Sequence, residues 1–238
     1  AKYGLRSIWM VSGICYYFYF FIVMFGEEHH VKKRGSFKKP FKEVCDQTKL
    51  SIRFSCNHPV LFYLFLIVLI GGVAGTFASF ISLTPFLVSL NFPDYGFGYL
   101  ASLFGLAGIF SPLISNLFIK KDNERKILII SGFITFLMGF FILFVNNLIL
   151  ALIILFISIS VWEFKFPIRE SYFHKFIPSK MRATIGSIKA MILSLAGILA
   201  LPLTGLLVDT IGARLTIFIS GLLMIPLIIF YFLIKEKS

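Results

Sequence analysis

Charge is scarce in this chain of 238 residues: Asp, Glu, Lys and Arg make up 14% of it, with 11 acids against 23 bases. Soluble domains carry about a quarter charged residues, so this sequence has too little polar surface to cover itself in water. Cysteine is equally sparse. Cys15, Cys45 and Cys56 are too few and too scattered for a disulfide framework, and no CxxC or Cys/His cluster points to a metal, so they read as reduced thiols. No phosphate-binding loop is present, and the GGVAG run at Gly71 is no dinucleotide fingerprint because no strand precedes it. No cofactor is therefore expected. The net charge of +12 is confined to short segments between apolar runs, without a zinc-finger, RNA-binding or helix-turn-helix pattern, which excludes nucleic acid as the expected partner.

What the chain does have is apolar length. It is 58% apolar and contains 30 Phe. A helix needs about 20 apolar residues to cross the hydrocarbon layer, because every backbone amide must find its partner inside the segment. Seven runs meet that demand, at 8–25, 59–82, 97–119, 127–145, 148–166, 183–208 and 215–234. The fold class expected is all-α: a polytopic membrane bundle of seven transmembrane helices.

Basic residues alternate between the connections. Eight lie between the first and second spans, from Lys32 to Arg53; Lys120, Lys121, Arg125 and Lys126 lie between the third and fourth. Lys165, Arg169, Lys175, Lys180 and Arg182 follow the fifth, whereas the intervening connections hold only Arg214. The positive-inside rule places the basic loops, and the tail with Lys235 and Lys237, in the cytoplasm. The expected location is the cell membrane, with a cytoplasmic carboxy terminus and the amino terminus, with Lys2 and Arg6, outside. An external start and the lack of an initiator Met read as a fragment. The loop 27–58 interleaves Phe37, Phe41, Val44, Leu50 and Phe54 with its lysines, which fits either a segment on the anionic leaflet or a solvated linker.

Membrane helices approach closely where small residues stand three or four apart. Such stripes run through the second span (Gly71, Gly75, Ala78, Ser82), the third (Ala101, Gly105, Gly108, Pro112) and the sixth (Ala183, Ser187, Ala190, Ser194, Gly197). The first, fourth and seventh spans are bulky around most of their circumference and are expected to face lipid. Spans two to four and five to seven then form two three-helix units, as in transporter halves built from inverted repeats.

From Ile177 onward the order IPSKMRATIGS and then PLTGLLVDTIGARLTIFISG resembles the last third of a major facilitator superfamily transporter. Pro178, Arg182, Ala183, Thr184 and Ser187 carry the likeness at the start of the sixth span, and Pro202, Gly205, Asp209, Gly212 and Arg214 at its far end. Asn57, His58 and Pro59, and Pro85 with Gly96 to Gly98, are similar to the same family. The resemblance implies that the seven spans are the sixth to twelfth of twelve: 1–26 the last helix of an amino-terminal half, 27–58 a basic cytoplasmic link, and 59–238 the carboxy-terminal six-helix bundle. The rest of the amino-terminal half would be missing. It departs from the family after the third span, where SNLFIKKDNERK places Ser115 at an expected Gly. In the outer copy, GLLVDTIGAR, Gly205 is expected at a close helix contact, Gly212 in a tight turn, and Asp209 on the amides of the next helix.

A charge inside a span costs roughly 2.5 to 3.5 kcal/mol at its centre, so such residues are functional candidates by default. Glu163, after Trp162 in the fifth span, either titrates or binds a cationic group in a central cavity, or it pairs with Lys165, Arg169 or Arg182 and anchors helix ends. Arg169 is the companion charge, and Pro167 lets the helix flex. Lys189 is expected to snorkel to the inner interface. The polar midspan residues Thr76, Ser111, Ser158, Ser160 and Ser194 either line a solute path beside Trp162 or bond their own helix backbone. Without a nucleotide site, the resemblance implies secondary active transport of a small solute, most commonly proton-coupled efflux of amphiphilic compounds, with no enzymatic activity. A membrane-embedded enzyme lacks its acidic or His cluster here, and a seven-helix receptor lacks the triplet alternation.

Overall fold

The structure, a computed structural model, describes residues 5–25, 38–118 and 123–234. The described residues are helical almost throughout. The order is α1 (Leu5–Met24), α2 (Lys38–Asn57), α3 (Pro59–Phe77), α4 (Phe80–Ser89), α5 (Gly96–Phe118), α6 (Glu124–Phe141), α7 (Leu148–Lys175), α8 (Arg182–Ile211), α9 (Ala213–Leu222) and α10 (Met224–Leu233). Six segments are long and apolar enough to cross a membrane: Pro59–Ser89, Gly96–Ser115, Glu124–Phe144, Leu148–Lys175, Ser179–Ile211 and Ala213–Leu233. A shorter apolar helix, Trp9–Met24, accounts for the first expected span. It belongs to a separate unit, residues 1–43, and its side chains from Trp9 onward are largely exposed. The expectations placed on 27–37, on Lys120 and Lys121, and on Lys235 and Lys237 lie outside the described residues.

The second unit begins at Val44 rather than at the second span. The last part of the expected basic loop is a helix, and its Ser51 and Ser55 are buried while Phe54 packs on the bundle core and on His58. His58 then starts α3: its Nδ1 accepts the Leu61 N–H at 3.4 Å, and Pro59, which has no N–H to satisfy, takes the first helical position.

Two spans are broken. The first expected to end at 82 stops at Phe77 and resumes at Phe80, with Pro85 inside the second piece. Its backbone groups at the break remain satisfied, Ser79 N–H donating to Thr76 C=O and Ser79 Oγ accepting the Ile81 N–H at 3.4 Å. The last span breaks at Leu223, three residues before Pro226, whose ring removes a helix donor. Gly212 makes the turn between α8 and α9 with φ of 88°, a conformation that costs glycine little.

The two three-helix units do not pack as separate bundles. The first helix of each packs on the middle helix of the other, α3 on α8 and α7 on α5. The third of each packs on the first of the other, α6 on α7 and α10 on α3, while α6 also meets α9 and α10. Exchanging the triplets reproduces the pattern. Among the described residues the α6 and α9–α10 spans are more buried than α5 or α8. At the α6–α9 crossing Gly139 and Gly221 bring backbone to backbone, and Gly72 of α3 meets Ala196 and Leu193 of α8. By contrast Ala101 and Gly105 of α5, and Ala183, Ser187, Ala190 and Ser194 of α8, are exposed.

The helices alternate in direction, so Arg125, Lys175, Lys180 and Arg182 share one end of the bundle and Arg214 stands at the other. At the basic end Arg125 donates to the carbonyls of Tyr231 (2.7 Å) and Phe232 (2.9 Å), closing the last turn of α10 with a cation. Arg125→Gln should cost about 1.5–3 kcal/mol, the range of a charged hydrogen bond. Hydrogen exchange should then quicken in the last turn of α10 and stay unchanged in α3. At the opposite end Arg214 donates to Leu143 C=O (3.2 Å) and Asn146 Oδ1 (3.0 Å), and its guanidinium stands over Phe86.

Candidate functional site

Two apolar clusters fill the ends of the bundle. One centres on Leu61, Leu64, Ile168, Tyr172 and Tyr231 at the basic end, the other on Phe86, Leu87, Ile142, Leu155 and Ile217 at the opposite end. Between them lies a cavity of about 460 Å³, bounded by α3, α4, α6, α7, α8 and α9. Its wall is mostly glycine and aliphatic surface: the glycines of α3 leave the space open, and Trp162 closes one side against Gly75.

Three of the six sequence candidates for a cavity wall border it: Thr76, Ser158 and Trp162. The hydroxyls of Thr76 and Ser158 are spent on their own helices, donating to Gly72 C=O and Ile154 C=O at 2.9 Å each. They present a methyl group and a saturated oxygen rather than a free donor. Ser111 lines a shallow groove between α5 and α7 instead, with Ser160, and Ser194 is exposed on α8. The break between α3 and α4 opens directly on the cavity, where Ala78 and Ser79 line it.

The charges are arranged differently from expectation. Glu163 is turned toward α5, with its carboxylate 4.0 Å from where a Cβ on Gly108 would lie, and it does not border the cavity. It makes no ion pair with Lys165, Arg169 or Arg182 among the described residues. Helix geometry explains the difference: Trp162, Lys165 and Arg169 are spaced three and seven apart and share one face, whereas Glu163 lies about 100° round the helix.

Lys165 is the residue that sequence reading misplaced. Taken as a loop charge, it is inside α7, which runs on to Lys175, and it is only 7% exposed. Its ammonium stands 4.4 Å from the Trp162 ring centre, and the Arg169 guanidinium stands 5.6 Å from the same ring and from Phe166. Arg169 Nε is buried without a hydrogen-bond partner. A void of about 20 Å³ bordered by Lys165, Arg169 and Tyr231 shares Gly71, Trp162 and Met224 with the cavity wall. The spacing of 162, 165 and 169 was the available signal. It was hidden because the apolar run stops at Phe166 while the helix does not.

Lys189 does not snorkel. Its ammonium is bonded to both oxygens of Glu170 across the α7–α8 side of the bundle and lies 4.7 Å from the Phe173 ring centre. Among the motif residues, Gly212 makes the expected turn, but Gly205 meets nothing that a Cβ would disturb. Asp209 is exposed and caps nothing: α9 starts without a side-chain cap. Pro178 and Arg182 are exposed around the short 3-10 turn Ser179–Met181 that leads into α8. Arg214, tied to the end of α6, acts as a brace.

Six membrane-length helices, five of which border the cavity, define a multi-pass helical membrane protein. A model of the Major Facilitator Superfamily matches residues 89–238, most of the chain, and the protein belongs to that superfamily. It is a transporter, working in a lipid bilayer on a small-molecule substrate, as its family implies. The match starts at the end of α4, so the likeness at His58 and Pro85 lies outside it. No curated protein matches the chain.

Proposed function

We propose that the protein is a secondary active transporter of the cell membrane, exporting an amphiphilic solute by alternating access in exchange for protons. The observation that carries this reading is the cavity of about 460 Å³, apolar-walled and placed at the break of the first long span. Broken helices at midmembrane are where transporters of several folds hold their solutes, because only there does irregular backbone meet a cavity rather than lipid.

In this reading residues 59–238 form the carboxy-terminal half, 1–26 the last helix of the other half, and 27–58 the link between them. The exposed small residues of α5 and α8 support it. Such faces are worth their loss of packing only where another helix closes on them, and a preceding half supplies that helix. The basic end faces the cytoplasm by the positive-inside rule, with the carboxy terminus on that side.

Glu163 is the acid we assign to proton coupling. It lies where α5 and α7 meet, without an ion pair among the described residues. The test uses the full protein in proteoliposomes carrying an internal pH dye and a panel of amphiphilic dyes. Adding a transported dye should release protons in the parent protein, and Glu163→Gln should transport without that release or not at all. Normal proton-coupled transport by Glu163→Gln would remove the acid from the mechanism. Dye transport in the parent with no proton movement would remove antiport.

A further inference from the structure

We infer that Lys165 and Arg169 form an anion subsite at one end of the cavity, and that the transported solute is an amphiphilic carboxylate: an apolar body with one anionic head. The inference rests on the transporter reading and names the substrate class of that same cavity.

Electrostatic accounting carries it. An unpaired charge within a membrane protein costs several kcal/mol, and every other cation described in the bundle's interior has an identified partner. Lys189 has Glu170, Lys175 has Glu124 at 3.8 Å, Arg125 has two carbonyls and Arg214 a carbonyl and an amide. Lys165 and Arg169 have only the faces of Trp162 and Phe166 among the described residues. Two aromatic rings hold two neighbouring cations without neutralising either.

The acids that might serve them are committed elsewhere. Glu170 and Glu124 are paired, Glu163 faces α5, and Asp209 stands exposed at the opposite end of α8. A pair of cations that the fold itself leaves without a counter-charge is arranged for one that arrives from outside.

Direction and space agree. Helix side chains lean toward the helix amino terminus, so Lys165 and Arg169 reach back along α7 toward Trp162 and the cavity rather than out toward the nearer bundle end. The void of about 20 Å³ beside them shares the wall residues Gly71, Trp162 and Met224 with the cavity. That space holds about one water-sized group, such as one oxygen of a carboxylate. The buried, unpartnered Arg169 Nε is a donor ready for it. The apolar cavity beyond Trp162 takes the remainder of the molecule.

The sequence has two tryptophans, Trp9 and Trp162, so replacing Trp9 and any tryptophan of the preceding half by Phe leaves Trp162 as the tryptophan reporter. The full protein in phosphatidylcholine nanodiscs is titrated with bromooctanoate, bromooctanol and bromooctyl-trimethylammonium, whose bromine quenches nearby tryptophan. Two charged hydrogen bonds correspond to roughly tenfold or more in affinity, so the carboxylate should quench at roughly a tenth of the alcohol's concentration, and the ammonium should quench weakest.

Lys165→Met and Arg169→Met should each bring the carboxylate-to-alcohol ratio to within about threefold of one, and Lys165→Arg should keep it. If Lys165→Met does not yield folded protein, the inference also fails, because removing an unneutralised buried charge should raise the melting temperature of the ligand-free protein. Equal binding of all three probes, or displacement of the carboxylate by added phosphatidylglycerol, would overturn it, the latter by assigning the cations to a lipid head. Carboxylate binding with no uptake of any probe into proteoliposomes would instead leave the subsite standing and remove the transport reading. Uptake of the alcohol and ammonium but not the carboxylate would do the reverse.

Discussion

Gly139→Leu should lower the melting temperature of the bundle sharply. A Cβ at residue 139 would lie 2.8 Å from Gly221 Cα and 3.3 Å from Gly221 N, closer than side-chain carbons approach backbone. Backbone cannot rotate aside as a side chain can, so α6 and α9 must separate along the crossing, and α10, which packs on α6, must shift with them. In lipid no hydrophobic gain refills such a gap: helices in membranes associate chiefly through close packing and hydrogen bonds, since lipid tails solvate an exposed leucine as well as another helix does.

Overpacking typically costs about 1–3 kcal/mol and more where backbone must move. We expect the upper end, a fall in melting temperature of roughly 10 °C in detergent, with aggregation during purification. Gly205→Leu is the control, because nothing lies within 4 Å of a Cβ there. Similar melting of the two variants would show that the α6–α9 crossing yields.

Separating Lys189 from Glu170 is the second large effect. The pair joins α7 to α8 with side chains 14% and 29% exposed, so each charge has given up most of its water. Removing either partner strands the other. Lys189→Met and Glu170→Gln should each cost about 2–4 kcal/mol, toward the lower side of a fully buried pair because some water remains. The double variant should recover more than half of that loss, since a neutral pair of similar volume strands nothing. Additive losses would show that the two residues stabilise the bundle separately. A snorkelling lysine, by contrast, would make Lys189→Met nearly silent, so the same measurement separates the two accounts of this residue.

The spans were legible because hydropathy is local: twenty apolar residues cross a bilayer whatever their neighbours do. The breaks were less so. Ala78 and Ser79 carry no breaking residue, and the interruption depends on Ser79 being able to cap a new helix beside a cavity. The helix α7 was read short because its apolar run ends at Phe166, yet Ile168, Tyr172 and Phe173 continue the buried face to Lys175 and bury Lys165 with it.

Pairings between distant elements carried no sequence signal at all. Nothing near Lys189 names Glu170, and nothing near Arg125 names the carbonyls of α10. The small-residue stripe on α3 does lie at contacts, with Gly71 buried and Gly75 against Trp162 of α7, but on α5 and α8 the stripes lie on exposed faces. A stripe marks a surface suited to contact; which helix meets it is a property of the assembly.

The exchange of partners between the two triplets also has a consequence for biogenesis. The principal neighbour of α3 is α8, which starts about 90 residues after the end of α4. At about 5–20 residues per second of synthesis, the first span waits roughly 5–20 s in the bilayer before that neighbour exists. During this interval its Gly71–Gly75 face must be filled by lipid or by a protein that holds nascent helices. The glycines that later permit close approach are therefore also the positions at which a newly made chain is most open to capture.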